Sequence, residues 1–195
     1  MKITILGTES LGVRGLSCVV ETKARKIVID PGVALGYRRH GLLPHPVQVA
    51  VSEKVKDAIQ KSLTGATDVV ISHYHGDHCP LVDANPYQLS IDRVFPLLAH
   101  TRLWSKGLHD IQPHQVYRAR VLARQLGESF IEAEGVTDGP LSFSFPVPHG
   151  ESQRHSLVMM TRIADDSEVF VHASDIQMLN DEAIDIILEW KPTVV

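Results

Sequence analysis

Between Ile71 and Pro80 the chain reads ISHYHGDHCP, and His73, His75, Asp77 and His78 fall within six residues of it. Neutral imidazole and carboxylate are ligands for zinc and related divalent ions. The run DVVIS just before is continuous, apolar and β-branched, the pattern of a buried strand. Residues i and i+2 of a strand face one side, so His73 and His75 are expected to project together. Gly76 is expected to let the chain turn sharply, so that Asp77 and His78 swing back toward the same point. A helical HExxH site does not fit, because no histidine pair here is four apart with a Glu between. Four side chains on one loop cannot surround an ion, so partners must come from elsewhere. His149, after PVP, and Asp175, after FVHAS, each stand at the end of an expected strand, where sheets place their working loops.

The elements that must position these residues are legible in outline. KITIL reads as a strand by alternation, followed by the glycine-bearing loop GTESLGVRG. SCVVET and KIVID form a hairpin across the turn KARK. PGVALGYRRHGLLPHPVQ is a long, irregular loop of the kind that often serves function. Helical spacing predicts a helix over 52–63 with Ser52 as its cap. The stretch from Leu81 to His114 gives no clear element, and 115–126 is an amphipathic helix. LSFSFPVP reads as one strand running up to His149, LVMMTRI and EVFVHAS as two more, and 180–190 as a helix. PTVV opens a further strand. Strands interleaved with helices imply a layered α/β fold.

Composition excludes several classes. The chain has 195 residues, 44% apolar and 22% charged, which suits one globular domain with its own core. No apolar run approaches the roughly 20 residues needed to span a bilayer, and MKITILGTES lacks the apolar core of a signal peptide. A cytoplasmic protein without a membrane partner is expected. A net charge of −4 argues against a dedicated nucleic-acid binder but leaves phosphate esters open. Two cysteines give no disulfide framework. Cys18 reads as core, and Cys79 as packing beside the histidine cluster. Gly7 to Gly12 superficially fits a phosphate loop, but Val13 and Arg14 stand where Lys and Ser or Thr are needed. Length and composition do not reveal the oligomeric state.

HYHGDH resembles the HxHxDH signature of the metallo-β-lactamase superfamily. The order of KIVIDPG before it, and of PHG and HASD after it, agrees along essentially the whole chain. GTESLGVRGLSC, HGLLPHP and VDANPYQL more narrowly resemble an archaeal branch of that superfamily, which implies a fold and a site but no particular substrate. The resemblance implies an αββα four-layer sandwich of two mixed sheets over residues 1–195. By the same resemblance His73, His75 and His149 hold one metal, Asp77 and His78 a second, and Asp175 bridges them. Asp30, by the resemblance, braces the signature loop by hydrogen bonds; His172, three residues before Asp175 on the same strand or its end, is a further residue that could brace the site. The superfamily normally adds a last histidine after the bridging aspartate, whereas no histidine follows Asp175 here. The expectation is therefore of a domain cut short on its C-terminal side, with a weaker second metal site.

The implied function is that of a metal-dependent hydrolase. It would hold one or two Zn2+ ions (or Mn2+ or Fe) and use a metal-bound hydroxide, with Asp77 orienting it or accepting its proton. A fall in the pKa of water from 15.7 to about 7 is worth roughly 12 kcal/mol, so no Ser, Cys or Lys nucleophile is required. Phosphodiesters, esters and thioesters are the candidate substrates. Arg14, Arg38, Arg39 and His40 lie in loops where they could meet a phosphate. His45, His100, His109, His114 and His155 lack ligand spacing. Two alternatives use the same residues: an iron-dependent dioxygenase or redox enzyme, and a non-catalytic protein that keeps metal for structure or binding.

Overall fold

The computed structural model describes residues 1–9, 12–109, 111–150 and 157–195; His155 lies outside them. Six strands form the first sheet in chain order: β1 (Lys2–Thr8), β2 (Leu16–Glu21), β3 (Lys26–Ile29), β4 (Asp68–Ile71), β5 (Arg102–Ser105) and β6 (Phe130–Glu132). The first three pair antiparallel, which bears out the SCVVET–KIVID hairpin, and β3 to β6 run parallel. Parallel strands need long crossovers, and helices supply them. These are α1 (Pro46–Leu63), α2 (Ile91–Leu98) and α3 (Pro113–Leu126). The second sheet has the order β12-β11-β8-β7, with β7 at Thr137–Asp138, β8 at Leu141–Phe143, β11 at Thr161–Asp165 and β12 at Glu168–His172. Its named strands pair antiparallel, and a parallel bridge from Phe170 to Val194 makes its edge mixed. A separate ribbon joins β9 (Val147–Pro148) to β10 (Leu157–Val158), and α4 spans Asp181–Trp190.

Alternation along the strands sorts side chains into three apolar cores. Val28, Val69, Ile71 and Leu103 face outward against Ile59, Leu98 and Leu122 of the helices. Ile27, Ile29, Val70 and Trp104 face inward against Leu141, Phe143, Ile163 and Phe170 of the second sheet. Val158, Met160 and Val171 face Ala183 and Ile187 of α4. The layers are thus helix, sheet, sheet and helix. Each buried aliphatic side chain contributes about 1.5–3 kcal/mol to the joint it fills. The inner joint also carries charge: Trp104 donates from Nε1 to the buried Asp68 carboxylate at 2.8 Å, and Arg102 pairs with the same oxygen at 2.9 Å. Asp138 of β7 accepts from Arg25 at 2.6 Å and from Arg102 at 3.1 Å, tying the sheets together at the end away from the histidines.

Three expected boundaries are corrected. The first helix begins at Pro46, with the His45 ring accepting from Val47 N at 3.2 Å; Ser52 lies buried inside it and is not its cap. Proline at a first turn loses no hydrogen bond, so the helix can start earlier than apolar spacing alone indicates. LSFSFPVP is two strands, β8 and β9, parted at residues 144–146, where Pro146 has no N–H to continue the ladder. LVMMTRI likewise splits at Met159, whose N–H leaves the sheet and donates to Ser72 O at 3.0 Å. The unassigned stretch from Leu81 to His114 holds α2, with Pro96 inside it, and β5. The helix expected over 180–190 is present, with Asn180 Oδ1 accepting from Ala183 N.

Candidate metal centre

β4 ends at Ile71, so His73 and His75 lie just beyond the strand rather than in it. Extended alternation nevertheless continues for these residues. Tyr74 points to the helix side, where its hydroxyl donates to Lys106 O at 2.5 Å and lies 2.8 Å from Ser105 Oγ. His73 and His75 face the opposite way, with His73 Nε2 only 2.8 Å from His75 Nδ1. The chain turns at Gly76 as expected, with His78 N and Cys79 N both donating to His75 O at 3.0 Å, but without a left-handed φ; a Cβ there would stand 2.6 Å from Leu81 Cδ1 and 2.8 Å from Gln88 Nε2. What Gly76 supplies is room, not a special φ.

The loop after β3 is the brace. Asp30 adopts φ 46 and turns its buried carboxylate back onto the signature. Oδ1 accepts from Ser72 N at 2.7 Å; Oδ2 accepts from Ser72 Oγ at 2.7 Å and meets His78 Nδ1 at 2.8 Å. Gly32, two residues on, packs against the backbone of His78 and Cys79 so closely that a Cβ would lie 2.5 Å from Cys79 N.

These contacts leave one nitrogen of each ring facing the centre. His73 Nδ1 lies on Ser72 Oγ at 3.0 Å, His78 Nδ1 on Asp30, and His149 Nδ1 on Gln177 Nε2 at 3.3 Å. Their Nε2 atoms converge on Asp175, at 3.8 Å from Oδ1 for His73 and at 3.5 and 2.6 Å from Oδ2 for His78 and His149. Ser174 Oγ steadies that carboxylate at 3.1 Å from Oδ1 and lies 2.9 Å from Ser72 Oγ. His73, His75 and Asp175 each offer a ligand atom within 4.8 Å of the others, a spacing one metal ion can bridge. Asp77 sits at the rim, its Oδ2 3.4 Å from Arg14 Nη2. A cavity of about 410 Å³ opens over Asp77, His78, His149 and Asp175, bordered by Arg14 and Gln177.

Electrostatics divides the rings into two kinds. Burial holds His73 well below the ordinary imidazole value, with the neighbouring charge of His78 adding to it. Burial also lowers His75. At His78 burial opposes charge but the Asp30 carboxylate and Asp175 outweigh it, so its pKa is raised. His149 is raised by its hydrogen bond to Asp175. Burial alone would raise Asp175, yet hydrogen bonds from His149 and His78 hold its carboxyl well below the usual carboxylate range. Neutral His73 and His75 beside the ionised Asp175 fit a divalent cation, and His78 and His149 can join them once they release their protons.

His172 does not touch the candidate ligands: its Nε2 donates to Leu16 O at 2.9 Å, closing the wall of the cavity. Cys18 is buried between the sheets, and Cys79 is buried behind the signature against the helices. Sequence reasoning missed Gln177 and Ser174; His114, read as lacking ligand spacing, lies with its ring parallel to His75 at 6.2 Å. Gln177 and Ser174 flank Asp175 in sequence, a proximity that would have flagged them.

The sequence model of the metallo-β-lactamase superfamily matches residues 12–84, which carry both the Asp30 brace and the histidine signature. A UPF0282 protein of Methanosarcina mazei is 50% identical over 196 residues, covering all of this chain and 64% of the relative. A UPF0282 protein of Thermococcus gammatolerans is 37% identical over 212 residues, covering all of this chain and 68% of the relative. The chain belongs to the UPF0282 family, within the metallo-β-lactamase superfamily. It spans about two thirds of the length of these relatives. A possible metal-dependent hydrolase from Veillonella parvula superposes with a TM-score of 0.58 at 11% identity, covering 93% of this chain and 68% of that one. That likeness bears on the fold, and it agrees with the layered sandwich described above. Among the described residues no helix is long and apolar enough to cross a membrane.

Proposed function

We propose that the chain carries the metal centre of a hydrolase acting on a small-molecule ester, thioester or phosphodiester. The observation that carries this reading is the convergence of His73, His78 and His149 Nε2 on the two oxygens of Asp175, with Nδ1 of His73 and His78 turned onto the protein acceptors Ser72 Oγ and Asp30. That arrangement aims the Nε2 atoms of His73 and His78 and a shared carboxylate at one centre; His149 Nε2, which donates to Asp175 at 2.6 Å, joins them on giving up its proton. His73, His75 and His149 would hold one ion, Asp77 and His78 a second, and Asp175 both. Zinc suits this donor set, and manganese or iron also accept it. Among the described residues, His73, His75 and Asp175 offer ligand atoms close enough together for one ion.

A bound divalent ion supplies Lewis acidity, lowering the pKa of water from 15.7 toward about 7 and polarising a carbonyl or phosphoryl oxygen. The protein's part is positioning. Asp30 and Ser72 fix the ring planes, and the buried neutral state of His73 keeps a lone pair available without a competing proton. Asp77, at the mouth of the cavity, accepts the proton of the attacking water. Arg14 beside it offers positive charge to the negative charge that develops on the substrate.

The test pairs elemental analysis with a panel of phosphodiester, ester, thioester and lactone substrates. Expected is a divalent metal bound at one or more equivalents and turnover that chelation abolishes. Full turnover by metal-free protein would sink the reading. Bound iron with an oxygen-dependent reaction would replace it with a redox one.

A further inference from the structure

Arg14 stands in two cavities at once. On one side it borders the metal-site cavity with Asp77 and Asp175. On the other it borders a second cavity, of about 590 Å³, with Leu35, Arg39, His40, Leu42 and Pro44. One side chain therefore forms the shared wall, and a ligand lying past it would reach from one space into the other.

The second cavity is held by backbone hydrogen bonds. Arg14 and Ala34 exchange N–H···O bonds at 3.0 Å in each direction, and Leu35 N donates to Tyr87 O at 3.0 Å. Beyond them Arg39 and Leu42 exchange bonds at 2.9 Å across a tight turn in which His40 adopts φ 50. A non-glycine residue in that region costs energy and persists where surrounding contacts enforce it. The Arg39 side chain folds back over Gly36, where a Cβ would lie 3.1 Å from its Nε.

The lining is cationic and apolar together. Arg39 supplies a guanidinium group, and among the described lining residues there is no carboxylate; the Arg14 guanidinium, at the boundary, is shared with Glu9 at 3.6 Å and Asp77 at 3.4 Å. Leu42 and Leu43 are left 72% and 54% exposed beside them. Guanidinium forks match the oxygens of carboxylate or phosphate, and exposed leucines beside them suit a short hydrocarbon segment.

We propose that this cavity is the specificity subsite of the hydrolase: it takes an anionic group, phosphate or carboxylate, joined through a short apolar segment to the bond cleaved at the metal centre. Arg39 is the anion contact, Leu42 the apolar one, and Arg14 the residue between the two spaces. The assignment rests on the hydrolase reading, but binding in the cavity does not require the metal, so the two are separable.

Hexyl phosphate is the probe, titrated calorimetrically into the full chain with its metal and after chelation, with inorganic phosphate for comparison and heptanoate to rank carboxylate against phosphate. Expected is hexyl phosphate binding to both forms, at least about tenfold tighter than inorganic phosphate to the chelated form. Arg39→Gln should weaken it about tenfold in both forms with metal content unchanged. Leu42→Ser should narrow the gap between hexyl and inorganic phosphate. Affinity that both variants leave as in the parent, or binding that vanishes on chelation, overturns the subsite. Hexyl phosphate binding as expected, in a chain that hydrolyses nothing, overturns the hydrolase reading and leaves the cavity as an anion-binding site.

Discussion

Asp30 holds His78 by its Nδ1 at 2.8 Å and so turns Nε2 of that ring into the site. The same carboxylate holds Ser72, whose hydroxyl in turn meets His73. One buried acid thus sets the orientation of rings assigned to two different ions. Asp30→Asn is the discriminating substitution, because Asn tolerates the left-handed φ of 46 and removes only the charge and one acceptor. Metal affinity should fall about 10–100-fold, read by competition with a chromophoric chelator. The melting temperature of metal-free protein should fall as well, because a buried donor loses its acceptor.

The ligand set predicts two phases of metal uptake. His73→Ala, His75→Ala and His149→Ala should each abolish the tighter phase and turnover, while His78→Ala should spare the tighter phase and remove the weaker one. Asp77→Asn should spare the tighter phase, weaken the other, and lower kcat by more than metal content, by about 10²–10⁴-fold, through loss of a proton acceptor. Loss of metal and of turnover in equal measure in Asp77→Asn would assign that residue to coordination alone.

The pKa directions give a pH dependence whose sign can be worked through. His78 and His149 are raised, so their contribution to metal-free stability is present below the ordinary imidazole pKa and lost as pH rises through their higher folded values. His73 and His75 are lowered and run the other way, costing stability below the ordinary value and nothing above it. The depressed Asp175 contributes above the ordinary carboxylate pKa and is lost only as pH falls through its own low value. A metal must displace the protons that His78 and His149 retain. The rise in melting temperature on adding zinc should therefore be larger at pH 8 than at pH 6, and metal addition in weak buffer should release protons. A thermal shift that grows toward acid pH would contradict this.

Gly32→Ala tests the approach of the β3 loop to the signature. A Cβ would stand 2.5 Å from the backbone of the next segment, which cannot rotate away as a side chain can. A loss of about 1–3 kcal/mol or more in denaturant unfolding is expected, with weaker metal binding, because relieving the clash moves His78.

How much of this was legible in the sequence depended on how local each signal is. His73, His75, Asp77 and His78 announce themselves, because ligand types crowd one short loop. His149 and Asp175 could be paired with them because both stand at strand ends. KIVI and DVVI gave the faces of the first sheet, since alternation and continuous apolar runs are themselves local. Proline governed the places that were misread: Pro46 started a helix early, Pro146 stands in the break between two strands, and Pro96 sits inside α2. Arg14 was legible as a loop cation but not as the partner of Asp77, because only the packing of separate loops brings the two together.

Trp104 lies between the sheets, 5% exposed and bonded to Asp68, while Trp190 lies half-buried at the end of α4. These are the chain's two tryptophans. The fold thus carries its own optical reporters, one in the joint between the sheets and one on the outer helix. With Trp190→Phe the remaining emission reads the inner joint alone; with Trp104→Phe it reads the outer layer. Comparing the two during unfolding would tell whether the helix that follows Asp175 detaches before the sandwich opens.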